Sequence, residues 1–321
     1  MTKRIFATAL TLAMVFFPAL VRAQDWPTRP IHFIVPFPAG GSTDISARII
    51  ADYVTRKLGQ QVYVENKSGA NGVIGMEVAA KSDPDGYTFL VSTDSLASNP
   101  HIYKINIDVL KDLVPVLQIS HQPMVLAAHP SLGVKSISDL IALAKKEPGL
   151  RFATGSGIGS SQAMVALWFA QIEGLSLIQV PYRGGGQAIN DLISGQVKLG
   201  SLGSTPLIPH YKAGSLLLLA QSTETRSSSL PDVPTFEQAG VKGLVLGQWV
   251  GVFAPAKTPQ AILTRLAKEI ESARSDPGVR DRLLKAGQDT ASGTPEQFTH
   301  YIGEEFEKYG KLVTALHIKV D

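Results

Sequence analysis

The chain of 321 residues contains no cysteine. This absence excludes disulfide scaffolds, metal sites built from thiolates and cysteine nucleophiles. It also excludes a lipid anchor attached to a cysteine behind an export signal. A protein without disulfides has to be stabilised by a hydrophobic core, and a chain of this length is able to bury one.

The chain also has little excess charge of either sign once its first 23 residues are set aside. The formal charge is +3, from 30 Lys and Arg against 27 Asp and Glu. Residues 1–23 contain Lys3, Arg4 and Arg22 and no acid, so 27 basic and 27 acidic residues remain. A neutral remainder without a basic patch argues against nucleic acid as a partner.

Residues 1–23 have the pattern of a secretory signal. A basic start is followed by an uncharged stretch over residues 5–21, and the small residues Val21 and Ala23 stand before Gln24. The stretch is at the short limit for a membrane span and contains Pro18, which favours a cleaved signal over an anchor. We predict export to the periplasm, cleavage after Ala23, and a soluble mature protein without a lipid anchor.

Motifs of the common enzyme classes are missing. The run from Gly155 to Gly159 has glycine where a nucleophile elbow requires serine, and Ser160 stands where a dinucleotide-binding loop has its last glycine. The seven histidines have no metal-binding spacing. We therefore predict no enzyme, no cofactor and no metal. A hydrolase that uses Ser160 or Ser161, with a histidine brought near by folding, remains an alternative.

Short apolar runs alternate with helical segments along the whole chain. This alternation predicts an α/β fold with a parallel or mostly parallel sheet, and at least eight strands suit two α/β lobes better than one. We predict strands over 31–35, 62–64, 87–92, 114–119, 124–128, 151–153, 177–182, 198–202, 216–221 and 249–254. We predict helices over 45–58, 73–81, 136–146, 259–275 and 295–315, and helices that end near 172 and 194.

Glycine- and serine-rich loops follow several predicted strands and precede helices, notably at 37–44, 154–161 and 183–186. Ligands of open α/β sheets bind at this edge. Free amides at a helix start favour anions, and glycine allows close approach. Several such loops together indicate a cleft for an anion or another small polar molecule.

Two charged residues in these loops allow more than one interpretation. Arg183 lies between Tyr182 and three glycines and could pair with a second acidic group of the ligand. An ion pair with a loop acid, or a solvated side chain, explains it equally well. Asp44, at the start of a helix, fits a capping role better than a contact with a ligand amine.

Several longer segments resemble the Bug family of periplasmic solute receptors, which serve tripartite tricarboxylate transporters. The segments are Trp26 to Ile31, Ile34 to Asp44, Val64 to Gly72, Asp85 to Thr88, Val180 to Gly185, and Leu230 to Thr235. The resemblance extends over nearly the whole mature chain.

The resemblance implies a type II periplasmic-binding-protein fold, in which two α/β lobes joined by two chain crossings close on a ligand. We assign 24–122 with 250–321 to one lobe and 123–249 to the other. The family's ligands are small carboxylates held by loops of both lobes. The implied ligand-binding residues are Phe37, Ala39, Gly40, Gly41, Ser42, Thr43, Asp44, Thr154, Gly155, Ser156, Ser160, Ser161, Arg183, Gly184, Gly185 and Gly186.

The chain departs from the family pattern at positions that affect specificity. Gln162 stands where histidine is frequent, and the segment Gly200 to Ser204 lacks a frequent acid. Loss of that acid favours a plain or aromatic carboxylate over an amino acid. The implied partners are the membrane subunits of a tripartite transporter, or alternatively a membrane sensor gated by the ligand, and we expect a monomer.

Overall fold

The computed structural model describes residues 26–318, so the predicted signal segment lies outside the described residues. The strands are β1 (Ile31–Val35), β2 (Val62–Asn66), β3 (Thr88–Thr93), β4 (Leu113–Ala128), β5 (Leu150–Thr154), β6 (Leu177–Pro181), β7 (Leu199–Gly203), β8 (Leu217–Gln221), β9 (Gly247–Pro255) and β10 (Asp289–Thr290). The helices are α1 (Ser42–Leu58), α2 (Val73–Ala80), α3 (Ser95–Ser98), α4 (Ile137–Lys146), α5 (Ser161–Glu173), α6 (Gly185–Ile193), α7 (Ser204–Lys212), α8 (Gln260–Ser275), α9 (Pro277–Lys285) and α10 (Pro295–Ala315).

The strands form one continuous mixed sheet in the order β2-β1-β3-β9-β4-β7-β5-β6, with β8 and β10 also paired to β4. Strand β1 is parallel to β2 and β3, and β5 is parallel to β6 and β7. The two central strands, β4 and β9, run antiparallel to every partner. The prediction of a mostly parallel sheet is therefore wrong at the centre, because these two strands carry the chain from one end of the sheet to the other.

Strand β4 is longer than the sequence suggested. The segments 114–119 and 124–128, predicted as separate strands, belong to one strand whose apolar pattern is interrupted by Ser120, His121 and Gln122. It pairs with β9 from Leu113 to Pro123, and its second half pairs with β7 and β8. We call β1 to β3 with α1, α2, α8 and α9 the first lobe, and β5 to β8 with α4 to α7 the second lobe.

Each lobe has its own buried core. In the first lobe, Phe33 and Phe89 of the sheet pack with Ile50 of α1 and Ile270 of α8. The second lobe buries a cluster around Phe152, Phe169 and Leu199. The predicted helix α1 is confirmed, and Gly59 ends it in a left-handed conformation with φ of 68°, as its lack of a Cβ favours.

The C-terminal helix α10 packs against both halves of the molecule. Its first turns place Phe298 and Ile302 beside Trp249, while its last turns place Tyr309 and Leu312 in the core of the second lobe. The assignment of all of 250–321 to the first lobe stays a prediction.

Over residues 26–318, no helix combines the length and the apolar character that a membrane span needs.

Candidate functional site

A cleft of about 300 Å³ lies between the two lobes. Its walls come from the loop after β1, the loop after β5, the start of α6, the end of β7 and one residue of β9. The lining residues are Phe37, Pro38, Ala39, Gly40, Gly41, Ser42, Thr43, Gly155, Ser156, Gln162, Gly184, Gly185, Gly186, Leu202, Gly203, Pro206 and Gln248. The three predicted loops thus meet in one cavity.

Three helices begin at this cleft, and all three have glycine at the N-cap. The caps are Gly41 for α1, Gly184 for α6 and Gly203 for α7, and none of these helices has a side-chain capping bond. By contrast, Ser136, Asp276 and Thr294 cap helices elsewhere through their side chains. The first amides of a helix lack intrahelical partners and carry partial positive charge, so the cleft presents donors to an anion.

Within residues 26–318, those that form the cleft walls carry no ionisable side chain. Asp44 lies behind the first loop, is only 2 % exposed, and does not line the cavity. Its carboxylate accepts hydrogen bonds from the Gly40 amide at 2.9 Å, from Asn66 Nδ2 at 2.9 Å and from Arg48 Nε at 3.0 Å. Burial works to raise the pKa of Asp44, but the hydrogen bonds from Arg48, Gly40 and Asn66 outweigh it and hold the pKa below its ordinary value. Asp44 therefore stabilises the conformation of the loop after β1 without lining the cleft.

Two glycines allow the second-lobe loops to touch each other. A Cβ at Gly155 would lie 2.6 Å from the Gly185 Cα and 2.7 Å from the Gly185 nitrogen. The Gly155 amide donates to Gln162 Oε1 at 2.7 Å, so Gln162 occupies a donor that would otherwise face the cleft. Only a residue without a side chain fits where these two loops cross.

Gln248 is a cleft residue that the sequence did not indicate. It lies on β9, and its Oε1 accepts hydrogen bonds from Ser42 Oγ at 3.1 Å and from Gln122 Nε2. Gln122 Oε1 in turn accepts from the Thr205 amide at 3.2 Å. This chain of bonds joins the start of α1 to the start of α7 through the two central strands.

Three other predicted residues lie close to the cleft without lining it. Thr154 is fully buried and its hydroxyl donates to the Ser156 carbonyl at 2.8 Å. The Ser160 hydroxyl caps α5 by accepting from the Ala163 amide at 3.3 Å. Ser161 is buried, with its hydroxyl 3.7 Å from Met124 Sδ. Among the hydrogen bonds of residues 26–318, neither serine meets a histidine.

Arg183 lies in a second chamber beside the cleft. This chamber has a volume of about 430 Å³ and shares the wall residues Phe37, Pro38, Gly155 and Ser156 with the cleft. Among the described residues that line it, Arg183 is the only charged one. The neighbouring Tyr182 is held by a 2.6 Å hydrogen bond from its hydroxyl to Asp191. The chamber therefore continues the cleft towards a cationic side chain.

The two halves of the molecule touch beside the cleft and the second chamber. The Tyr103 hydroxyl donates to the Ile158 carbonyl at 3.0 Å, and a Cβ at Gly184 would lie 3.6 Å from Pro38 Cγ. The sequence does not predict Leu202, Gly203 and Pro206 as lining residues, although Gly203, the last residue of β7, precedes a helix as the glycines of the three predicted loops do.

Two α/β lobes that share two central strands and close on a cleft define a periplasmic solute-binding protein of the type II fold. The sequence model described as "Tripartite tricarboxylate transporter family receptor" matches residues 46–318. The chain belongs to this family. The resemblance seen in its motifs is thereby confirmed.

Individual relatives agree with this membership. Protein BugT of Bordetella pertussis is 35% identical over 327 residues, covering 100% of this chain and 99% of BugT. Rpa4515 of R. palustris, solved with adipate, is 31% identical with a TM-score of 0.88, covering 92% of this chain and 100% of Rpa4515. MatC of Rhodopseudomonas palustris, with bound malate, is 27% identical with a TM-score of 0.82, covering 90% of this chain and 100% of MatC.

Proposed function

We propose that this chain is exported to the periplasm, captures a small organic carboxylate between its lobes, and presents it to the membrane subunits of a tripartite tricarboxylate-type transporter. The observation that carries the proposal is the convergence of three glycine-capped helix starts on one cleft without ionisable walls. Such a site attracts a carboxylate through main-chain donors. The adipate of Rpa4515 and the malate of MatC are both carboxylates, which supports the same ligand class here.

The second chamber supports a ligand with a second polar end. A carboxylate at the start of α6 leaves the rest of the ligand near the shared wall of Phe37 and Pro38, with Arg183 beyond it. Arg183 and Gly185 are two residues apart, so their Cα atoms lie within about 7 Å. A dicarboxylate of moderate length would reach both the helix starts and the guanidinium, whereas a monocarboxylate would use only the first.

The same geometry supports binding without catalysis. A serine hydrolase needs its nucleophile within hydrogen-bond reach of a base. The hydroxyl of Ser160 caps a helix, and that of Ser161 is buried against Met124. Turnover of an ester panel that is lost in a Ser160→Ala, Ser161→Ala double variant would instead support the hydrolase alternative.

The test of the proposed function is a ligand panel. The mature protein from Gln24 onward is unfolded, dialysed and refolded to remove any co-purified ligand, and its melting temperature is then measured with adipate, malate, citrate, aspartate and benzoate. A ligand that binds the native state raises the melting temperature, by an amount that grows with its concentration. Adipamide, which has the shape of adipate without its charges, is the matched control. No shift with any acid would contradict the proposal.

The role of Arg183 is tested separately. Replacing it by glutamine should weaken a dicarboxylate about tenfold and leave the matching monocarboxylate unchanged, since only the first has a charge for the guanidinium. Equal effects on both ligands would contradict the contact.

The membrane partner is tested by capture. The ligand-loaded protein is used to capture proteins from membranes, and recovery of the transporter's membrane subunits or of a sensor distinguishes the two alternatives.

A further inference from the structure

Gln162 is a long polar side chain that the second lobe contributes to the wall of the cleft. It is the second residue of α5. Its main-chain carbonyl accepts a hydrogen bond from the hydroxyl of the buried Ser201 at 2.6 Å. The hydroxyl of Ser160 caps the same helix at the Ala163 amide. The main chain at Gln162 is therefore held in place, and its side chain extends from a fixed point.

The orientation of the Gln162 side-chain amide is fixed by a main-chain donor. The Gly155 amide donates to Oε1 at 2.7 Å. An N–H group cannot accept a hydrogen bond, so the end that faces Gly155 must be the oxygen and the other end must be the nitrogen. Among the described residues Nε2 has no hydrogen-bond partner, and it is not one of the polar atoms that packing encloses. The two N–H donors of Nε2 are therefore left for the cleft.

Gln248, the other glutamine of the cleft, has partners at both ends of its side chain. Its Oε1 accepts from Ser42 Oγ at 3.1 Å and from Gln122 Nε2. Its nitrogen lies beside the Asp94 carboxyl. The side-chain oxygens of both glutamines are thus occupied by protein donors, and Gln162 is the one whose nitrogen remains available to a ligand.

The Gln162 amide lies next to the place where we expect the first carboxylate. Gly155, which binds the side chain of Gln162, touches the first residue of α6, since a Cβ on Gly155 would lie 2.6 Å from the Gly185 Cα. Gln162 and Gly185 both line the cleft. A substituent on the ligand carbon beside a carboxylate at the start of α6 therefore comes within reach of Nε2.

We propose that Gln162 determines specificity by donating to an oxygen substituent on the carbon next to this carboxylate, so that the receptor selects hydroxy and oxo acids. The inference rests on the proposed function, because it requires a carboxylate in the cleft. It adds which group that acid carries beside the carboxylate.

Hydrogen-bond chemistry ranks the possible substituents. A hydroxyl or carbonyl oxygen accepts from Nε2, a hydrogen atom leaves the donors unpaired, and an ammonium group is itself only a donor. An ammonium also finds the side-chain oxygens of Gln162 and Gln248 already occupied. A site built to pair with one polar group rejects the analogue that lacks it, because the group on the protein loses its partner. Malate should therefore bind better than succinate, and succinate better than aspartate.

These three acids form a matched set, because they differ in one substituent on a four-carbon dicarboxylate. Calorimetric titration of the mature protein, refolded without ligand, gives the three affinities. We expect malate to bind about 2- to 10-fold more tightly than succinate, which corresponds to the net value of one hydrogen bond. We expect malate to bind at least about 10-fold more tightly than aspartate. The set of 2-oxoglutarate, glutarate and glutamate repeats the comparison with a carbonyl oxygen.

Gln162→Glu is the sharpest variant. A glutamate oxygen still accepts from the Gly155 amide, while the donor is exchanged for a charged acceptor. This variant should weaken malate and succinate and should reduce or reverse the malate-to-aspartate ratio. Gln162→Met, which has a similar length and no donor, should bind malate and succinate equally. The control is Gln260→Glu, at an exposed position of α8 outside the cleft, and it should keep the wild-type ratios.

The outcomes separate this inference from the proposed function. Affinities that do not depend on the substituent, or a malate-to-aspartate ratio that is the same in Gln162→Glu as in the wild type, overturn the inference and leave carboxylate binding intact. If no acid of either set binds, the inference is overturned as well, and the ligand panel decides whether the proposed function fails with it.

A measurement on the wild-type protein covers the case in which the variants do not fold. The nitrogen resonance of the Gln162 side-chain amide should shift more with saturating malate than with saturating succinate. Equal shifts would overturn the inference.

Discussion

The hydroxyl of Tyr103 and the carbonyl of Ile158 are joined by a 3.0 Å hydrogen bond between the segment after α3 and the loop before α5. Tyr103 follows α3, on the first-lobe side, and Ile158 lies in the glycine-rich loop before α5. The same loop packs Gly159 against Ile102. We expect this bond to break when the lobes separate, so that its energy would contribute to the stability of the closed form.

Tyr103→Phe should therefore weaken ligand binding by roughly 2- to 10-fold, which corresponds to the net value of one hydrogen bond. The change should appear in the dissociation rate, because the bond forms after the ligand has entered. Stopped-flow dissociation of the best acid of the panel measures it. Tyr63→Phe, on the exposed face of β2, is the matched control and should leave the rate unchanged.

Gly155→Ala should abolish binding while the fold is retained. The new Cβ would lie 2.6 Å from the Gly185 Cα, and main chain cannot give way as a flexible side chain does. The second-lobe loops must then separate, and we expect at least about a 100-fold loss of affinity, as for other small displacements of a preorganised site. Calorimetric titration measures the loss. Gly303→Ala, where a Cβ meets nothing within 4 Å, should bind as the wild type does.

Gln248→Glu should reduce affinity far more than Gln248→Ala. Alanine removes the side-chain oxygen that accepts from Gln122 and Ser42, whereas glutamate keeps such an oxygen but adds a negative charge to a cleft whose walls carry none among the described residues. Repulsion between this charge and the ligand carboxylate in the partly desolvated site should cost several kcal/mol of binding free energy. Titrations of both variants with the same acid provide the comparison. Equal affinities in the two variants would argue against an anionic ligand at this end of the cleft.

Asp44→Asn should lower the free energy of unfolding at neutral pH by about 1–3 kcal/mol, because the hydrogen bonds from Arg48 and Gly40 lose their charged acceptor. The folded-state pKa of Asp44 is depressed, so its contribution is present above the ordinary value of 3.8 and is lost as the pH falls through the folded-state pKa. Urea unfolding at pH 7 and at about pH 3 should show the difference between wild type and variant shrinking. An undiminished difference in acid would contradict this assignment, and Asp281→Asn provides the exposed control.

The parts of the site that the sequence predicted are those that local chemistry determines. Gly41 and Gly185 follow predicted strands and begin helices, so neighbouring residues in the sequence are enough to predict that their loops bind anions. Gln248 gave no such signal, since a glutamine on a strand faces the cleft only because of its register with β4. Gln122, its partner, lies 126 positions away in the sequence.

The same distinction explains the errors in the fold. The sequence predicts two strands in place of β4 because Ser120 and Gln122 interrupt its apolar pattern. Both residues are nevertheless buried, Ser120 bonded to Gln288 and Gln122 to Gln248. Their burial depends on partners far along the chain. Helix α7 is not among the predicted helices. It contains Pro206 in its first turn, where proline is tolerated, and Pro209 in its interior.

The glycine-capped helix starts at the cleft have a consequence for how this receptor changes over time. Donors that belong to the main chain are not altered when side chains are exchanged. The binding of the first carboxylate is therefore kept as long as the backbone conformation is kept. New preferences can arise only at the few positions where side chains enter, such as Gln162, Pro206 and Arg183. A lineage could thereby move from one acid to another by a handful of substitutions, and an engineer who wishes to redirect the receptor has the same short set of positions to vary.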